Sequence, residues 1–264
     1  MQSGSNLAIQ PVNRVEHYFH FLFDLCLPLW HILEQVECDS KLRLKPFGIF
    51  SPRLAELFPG KLELVECSDT WSKETPLPMQ GLNPQFTHLR DSDLARFKRY
   101  VDQTMGVDPS ASANKIVLIE RMPPNDYFKN QAVKKGAGAS RRSIPNHHEL
   151  AEAIHAVVKP AYQFVNVRLE ELSFCEQIRL FDQAAVVIGQ HGAGLANCLW
   201  SRESTKVVEI SHRPDLMHFR SICDVMGLSY GIVRTTDPHE PINVDSLIAD
   251  ILKRQDCGKY FLNQ

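Results

Sequence analysis

From residue 115 to residue 255, short apolar runs alternate with longer segments of helical spacing, and no other feature limits the possible folds as much. The strand candidates are KIVLIER (115–121), AYQFVNV (161–167), AVVIG (185–189), KVVEI (206–210) and YGIVR (230–234). Helix candidates lie at 147–158, 173–183, 215–227 and 244–255, and another starts in GAGLANCLW (192–200). Ser173 with Glu176 forms a capping box for the second of these. Strands joined through helices of this length require right-handed crossovers and a mainly parallel sheet. Such a sheet binds ligands beyond the carboxyl ends of its strands.

The preceding half is less regular. VEHYFHFLFDLCLPLWHILEQV (15–36) reads as a mostly buried helix, bent or restarted near Pro28, because proline removes a backbone donor and crowds the preceding turn. Strands are expected at PFGIF (46–50) and KLELVEC (61–67) with a helix at 51–58 between them, then a proline-rich loop at 68–84 and a helix at 91–106. The small, polar stretch VDPSASAN (107–114) reads as a linker. We therefore expect an α/β protein with two domains and a cleft between them: 1–106, then 115–240, with a terminal helix in 241–264 packing back on the first domain. A chain of 264 residues can bury cores of that size without covalent staples.

Composition narrows the partners. With 29 Lys plus Arg against 31 Asp plus Glu, the net charge of -2 gives no reason to expect nucleic acid or a bilayer surface. The seven cysteines are an odd number, widely spaced and without a C-x-x-C pair, which argues against a disulfide framework or structural zinc and for a reducing compartment. The opening MQSGSNLAIQPV has no basic, then apolar, leader pattern. No run approaches the ~20 apolar residues of a membrane span, and N-x-Ser/Thr sequons are absent. These features point to a cytoplasmic location without membrane insertion.

The chemistry-bearing positions gather at the ends of strands. His191-Gly192-Ala193-Gly194 follows a strand and opens the next segment, where glycines allow close backbone approach and free N–H groups favour an anion. The alternative is a tight turn whose glycines only permit packing. Glu209 ends KVVEI and is placed either to meet ribose hydroxyls or to form an ordinary salt bridge. Arg121 ends KIVLIER, and Arg141 and Arg142 lie in the loop GAGASRRSIPN. Their planar forks suit a diphosphate, although solvated loop positions would read the same way. In the first half, His20 and Asp24 are one helical turn apart, with Glu16 and His17 a turn earlier. Such a polar stripe in an apolar segment is either a general-base site or a structural His–Asp bond.

Taken together, VVIGQHGAGLANCLW followed by STKVVEI resembles the signature region of glycosyltransferase family 61. EHYFHFLFDLCLPL is similar to that family's N-terminal H-x-x-x-D helix, and LIER with RRSIPNHHEL to its strand-end arginine and R-x-I-x-N segment. The matches keep their order over residues 16–210. The resemblance implies a GT-B architecture of two facing Rossmann-like domains, and an inverting, metal-independent transfer of xylose, arabinose or N-acetylglucosamine from a UDP-sugar to a glycan or glycoprotein hydroxyl, with no cofactor. It implies Asp24 as the base with His20 orienting or replacing it, and Glu16 and His17 on the acceptor side. It implies Arg121, Arg141, Arg142, His191 and the backbone of Gly192, Ala193 and Gly194 as diphosphate contacts, and Glu209 as a ribose contact. Ser143 stands where the family often has a second basic residue, which leaves the division of labour between Arg141 and Arg142 open.

Rival readings were weighed on the same residues. Asp91-Ser92-Asp93 matches a metal-chelating D-x-D, but it opens a helix where acidic residues are favoured by the helix dipole. GLSYG (227–231) fits G-x-S-x-G, yet a helix precedes it and a strand follows, the reverse of a nucleophile elbow. A nicotinamide oxidoreductase would use the Gly-rich turn with Glu209, and a non-catalytic nucleotide-sugar-binding protein would keep the fold alone.

Overall fold

The computed structural model describes residues 7–8, 17–35, 41–44, 49–64, 75–76, 91–124, 126 and 138–253. The chain divides into two compact units, Met1–Val107 and Asp108–Gln264.

In the first unit, β1 (Leu7–Ala8) leads to α1 (Tyr18–His20), a π-helical turn at Phe21–Cys26, and α2 (Leu27–Gln35). The α-helix restarts at Leu27, next to Pro28, as expected. Ahead of it the helix widens, and the Leu27 N–H bonds to the Leu22 carbonyl, five residues back. This wider turn gives room to a proline ring that would crowd an ordinary α-helical turn, and it absorbs the missing donor. All six residues of the π turn are buried. Next come β2 (Leu42–Leu44), α3 (Ser51–Leu57), β3 (Leu62–Leu64), β4 (Thr75–Pro76) and α4 (Asp91–Thr104). Parallel pairs form between β1 and β4 and between β2 and β3. The strand at Leu42–Leu44 precedes the expected 46–50, of which 49–50 form a turn and 46–48 lie outside the described residues. Trp30 and Phe97 rings, 5.6 Å apart, join α2 to α4.

The second unit is a five-stranded parallel sheet. Its elements are β5 (Lys115–Glu120), α5 (His147–Val157), β6 (Gln163–Arg168), α6 (Phe174–Asp182), β7 (Ala184–Gln190), β8 (Lys206–Ser211), α7 (His218–Met226), β9 (Ser229–Arg234) and α8 (Val244–Lys253). Strand order is β6-β5-β7-β8-β9. Every residue of β7 and β8 is buried, which is why β7 reads as a nearly continuous apolar run and neither strand alternates. Ser173 and Glu176 close the expected capping box, with Glu176 N–H donating to Ser173 Oγ at 3.2 Å and Ser173 N–H to Glu176 Oε2 at 2.7 Å.

The helix expected to start in GAGLANCLW is a 3-10 helix, Ala193–Trp200. Asn197 Nδ2 donates to the Gly194 carbonyl at 3.2 Å, so a side chain competes for an oxygen that an α-helix would bond at residue 198. The terminal helix α8 packs on its own unit: Leu247 is fully buried in one core with Leu150, Ile154, Val186 and Ile188. Val244 and Ile248 pack against the same core.

Strand order also locates the functional edge. From β5 the chain goes outward to β6, then crosses back past β5 to add β7, β8 and β9 on the other side. Loops leaving β5 and β7 therefore diverge, and the crevice between them is where open parallel sheets bind ligands.

Candidate functional site

Arg121 follows β5 and His191 follows β7, so the topology itself brings them to this crevice. Arg121 Nη1 donates to the His191 carbonyl at 3.4 Å and Nη2 to the Gly138 carbonyl at 3.2 Å. Arg142 Nη1 donates to the same His191 carbonyl at 3.1 Å. Two guanidinium groups thus converge on one backbone oxygen. Gly138 makes this possible: its φ of +57° is left-handed, and a side chain there would enter the backbone of residues 122–124. The Ala139 N–H donates to the Met122 carbonyl at 2.7 Å, folding the arginine loop onto the exit of β5. The loop turns Arg141 outward, where it is exposed, and Arg142 inward, where it is 7 % exposed. Burial therefore separates two adjacent arginines that the sequence left equivalent.

A strap of hydrogen bonds holds that loop. Gln190 Nε2 donates to the carbonyls of Ser143 (3.1 Å) and Pro238 (2.9 Å), and the Ser143 N–H donates to Pro238 at 3.0 Å. Asn146 exchanges two 2.9 Å bonds with the backbone of Ile242. Of these residues the sequence offers no signal for Gln190, since an isolated polar residue at a strand end carries no pattern. Gln190 and Ser143 also line, with Glu120, Arg121 and His147, an open recess of about 340 Å3 between the ends of β5 and β7.

Gly192 is needed for space rather than for backbone conformation. Its φ of 164° is extended and open to any residue, but a Cβ there would collide with the Arg121 guanidinium. Gly192→Ala is expected to leave the melting temperature nearly unchanged while displacing Arg121. Titration calorimetry with inorganic pyrophosphate as the probe should then show a loss of about tenfold in affinity, the scale of one charge-assisted hydrogen bond.

Among the described residues neither Arg121 nor Arg142 forms a salt bridge, and the Nε of each is buried without a hydrogen-bond partner. Burial, with Arg141, Arg121 and Arg213 nearby, pushes Arg142 down to about 10, with Glu209 opposing. Arg121 is lowered chiefly by burial. Both remain cationic at neutral pH, and like charges held in a buried cluster favour an anionic ligand. His212, beyond β8, is lowered by its burial and by Arg142, which favours its neutral form beside the arginines.

Glu209 takes a different place from the one expected. It is 0 % exposed, and its two carboxylate oxygens are engaged by protein groups, Oε1 by His191 Nδ1 and Oε2 by the Tyr230 hydroxyl at 2.6 Å. The ribose contact expected from its position at a strand end is not what this geometry offers. Tyr230 lies opposite Val207 in the β8–β9 ladder, on the face that Val207 shares with Glu209. That alternation was the signal that could have found it. The phenol is raised by burial and by the carboxylate it donates to, so it stays protonated. His191 is completed by its own N–H on the Ile210 carbonyl (2.8 Å) and by the Phe219 ring, 5.1 Å away edge-on.

In the first unit, His20 Nδ1 and Asp24 Oδ2 are 2.6 Å apart. Asp24 sits in the π turn with its side chain 2 % exposed, whereas that of His20 is 38 % exposed. His17 precedes α1, and its carbonyl accepts from the Phe21 N–H at 2.8 Å; Glu16 lies outside the described residues. Asp91-Ser92-Asp93 opens α4. Among the described residues no helix is long and apolar enough to cross a membrane.

Comparison with known proteins bears on this arrangement. The chain matches the family described as Glycosyltransferase 61 over residues 18–208. It is 31 % identical over 161 residues to a beta-1,2-xylosyltransferase of Arabidopsis thaliana, covering 56 % of this chain and 28 % of that protein. It is 26 % identical over 229 residues to the beta-1,2-xylosyltransferase RCN11 of Oryza sativa subsp. japonica, covering 83 % and 40 %. An EGF domain-specific O-linked N-acetylglucosamine transferase of Canis lupus familiaris is 30 % identical over 89 residues, covering 34 % and 17 %. The chain thus spans less than half the length of each of these relatives. The matched span includes the His20–Asp24 helix, Arg121, Arg142 and the HGAGL turn, and the chain belongs to glycosyltransferase family 61.

Proposed function

We propose that this chain is a glycosyltransferase that moves a sugar, of the xylose or N-acetylglucosamine kind, from a UDP-sugar to a hydroxyl of a glycan or glycoprotein. The observation that carries the reading is the convergence of Arg121 and Arg142 on the His191 carbonyl at the switch point of the parallel sheet, with no salt bridge to either among the described residues. The activities for which the relatives are named, xylosyl and N-acetylglucosaminyl transfer, support the class of donor.

In this reading the two units are the halves of a GT-B enzyme, with the donor on the second. The diphosphate lies against Arg121, Arg142 and the His191–Gly194 turn, and its growing negative charge during departure of UDP is met by guanidinium groups already in place. Preorganised donors of this kind stabilise a leaving anion without reorganisation and without a metal. Inversion follows from a single displacement in which a base on the first unit takes the proton of the acceptor hydroxyl. The nicotinamide reading loses its acidic ribose partner, because Glu209 is committed to His191 and Tyr230.

A thermal-shift panel of UDP, GDP, NAD, UDP-xylose and UDP-N-acetylglucosamine tests the proposal. A ligand that binds the native state raises the melting temperature by mass action, by about 2.7 kcal/mol of stability at one hundred times Kd. We expect UDP and at least one UDP-sugar to shift it, and NAD to leave it unmoved. A response to NAD with none to UDP would sink the transferase reading.

A further inference from the structure

The HGAGL turn is held from two sides. Its main chain is gripped by the arginines through the His191 carbonyl, and its imidazole is gripped by Glu209. We propose that Glu209 and Tyr230 are positioning residues that fix the tautomer of His191, with the proton on Nδ1 and Nε2 left to meet the donor diphosphate. This rests on the reading of the second unit as a UDP-sugar site.

The chemistry follows from what each group can donate. An ionised carboxylate only accepts, so the ring nitrogen facing Glu209 Oε1 must carry its hydrogen. Tyr230 donates to the second oxygen at 2.6 Å. That bond occupies the oxygen that would otherwise be orphaned at 0 % exposure, and it stops the carboxylate from turning toward Arg142, whose charge it feels. With Nδ1 committed, Nε2 is the atom offered to a ligand. As the anion binds, the ring takes a proton from solvent at Nε2, and this N–H donates to a diphosphate oxygen while Glu209 balances the imidazolium, as a buried carboxylate does for a catalytic histidine. Phe219, edge-on at 5.1 Å, closes one side of the ring and fixes its plane. The diphosphate grip itself rests on Arg121 and Arg142, so loss of the tautomer should slow departure of UDP more than it weakens binding of UDP.

Three variants and one spectrum test this: Glu209→Gln, Tyr230→Phe, the double variant, and a long-range 1H–15N correlation of the histidine rings in nucleotide-free protein, with His191 assigned by its loss in His191→Asn. The expected spectrum shows the His191 proton on Nδ1. In Glu209→Gln the amide can offer its N–H to Nδ1 as readily as its oxygen, so the tautomers mix. Release of UDP from the responding UDP-sugar should fall about 100-fold or more in kcat for Glu209→Gln and about tenfold for Tyr230→Phe, with Kd for UDP within about threefold. The double variant should equal Glu209→Gln, because Tyr230 acts only through Glu209. A bare Nδ1 in the wild type, effects that multiply in the double variant, or wild-type turnover in both single variants would overturn the proposal. Melting curves check folding. If Glu209→Gln does not fold, the wild-type spectrum and Tyr230→Phe still decide. Failure of the wild type to bind UDP would instead remove the reading of the site, while the spectrum would still report the tautomer.

Discussion

Arg142→Ala is expected to weaken UDP binding by about 100-fold or more and to lower turnover by about 1,000-fold, with little or no loss of thermal stability. Arg142 is 7 % exposed, and Arg121 meets it at the His191 carbonyl. A charge-assisted hydrogen bond to phosphate contributes about 1.5–3 kcal/mol, and a fork that makes two of them accounts for a loss on this scale. Stability should not fall with it, because the residue is a buried cation beside Arg121 and Arg141, and its removal lessens both desolvation and repulsion. Arg142→Lys keeps the charge but not the planar fork, and should fall between. Arg141→Ala, on the exposed side of the same loop, should change affinity by no more than about threefold. Calorimetric titration with UDP and a melting curve for each variant suffice. If Arg142→Ala binds UDP as the wild type does, the arginine pair is structural.

What the sequence made legible was what strand and helix periodicity can carry. The five strands of the sheet begin and end within two residues of the expected positions, because short runs rich in Val and Ile mark each of them off from the helices between. Local patterns that depend on a few side chains were read less well. Propensity marks the restart at Pro28 but not the widening of the helix ahead of it. The turn after HGAG had the apolar content of an α-helix, and one Asn197 hydrogen bond was enough to tighten it. Of the site, Arg121, Arg142 and His191 are brought together as a strand-end reading suggests. Glu209 is brought there too, but as a partner of His191, since a carboxylate inside a fully buried strand must be met by protein groups. Tyr230, Gln190 and Asn146 depend on the register between β8 and β9 and on loop-to-loop bonds, which become visible only once the sheet order is known.

The second large effect is expected in the first unit, where exposure favours His20 over Asp24 as the base, the second of the two assignments that the motif leaves open. A general base must reach the proton it removes, directly or through one water. Asp24 is closed into the π turn with its side chain 2 % exposed, beside Phe21 and Leu22, while His20 is 38 % exposed and bonded to it at 2.6 Å. We therefore expect His20 to take the acceptor proton on Nε2 and Asp24 to hold the ring through Nδ1. His20→Ala should lower kcat by about 1,000-fold and Asp24→Asn by about 100- to 10,000-fold, the range of general-base catalysis and of a lost tautomer. Kd for UDP should stay unchanged in both, which separates them from the arginine variants. The decisive measurement is chemical rescue, because added imidazole can replace a missing histidine but not a missing carboxylate. Imidazole should restore part of the turnover of His20→Ala and none of that of Asp24→Asn. If His20→Ala keeps most of its activity while Asp24→Asn is dead, the carboxylate itself meets the acceptor, and the turn around it must open for that to happen.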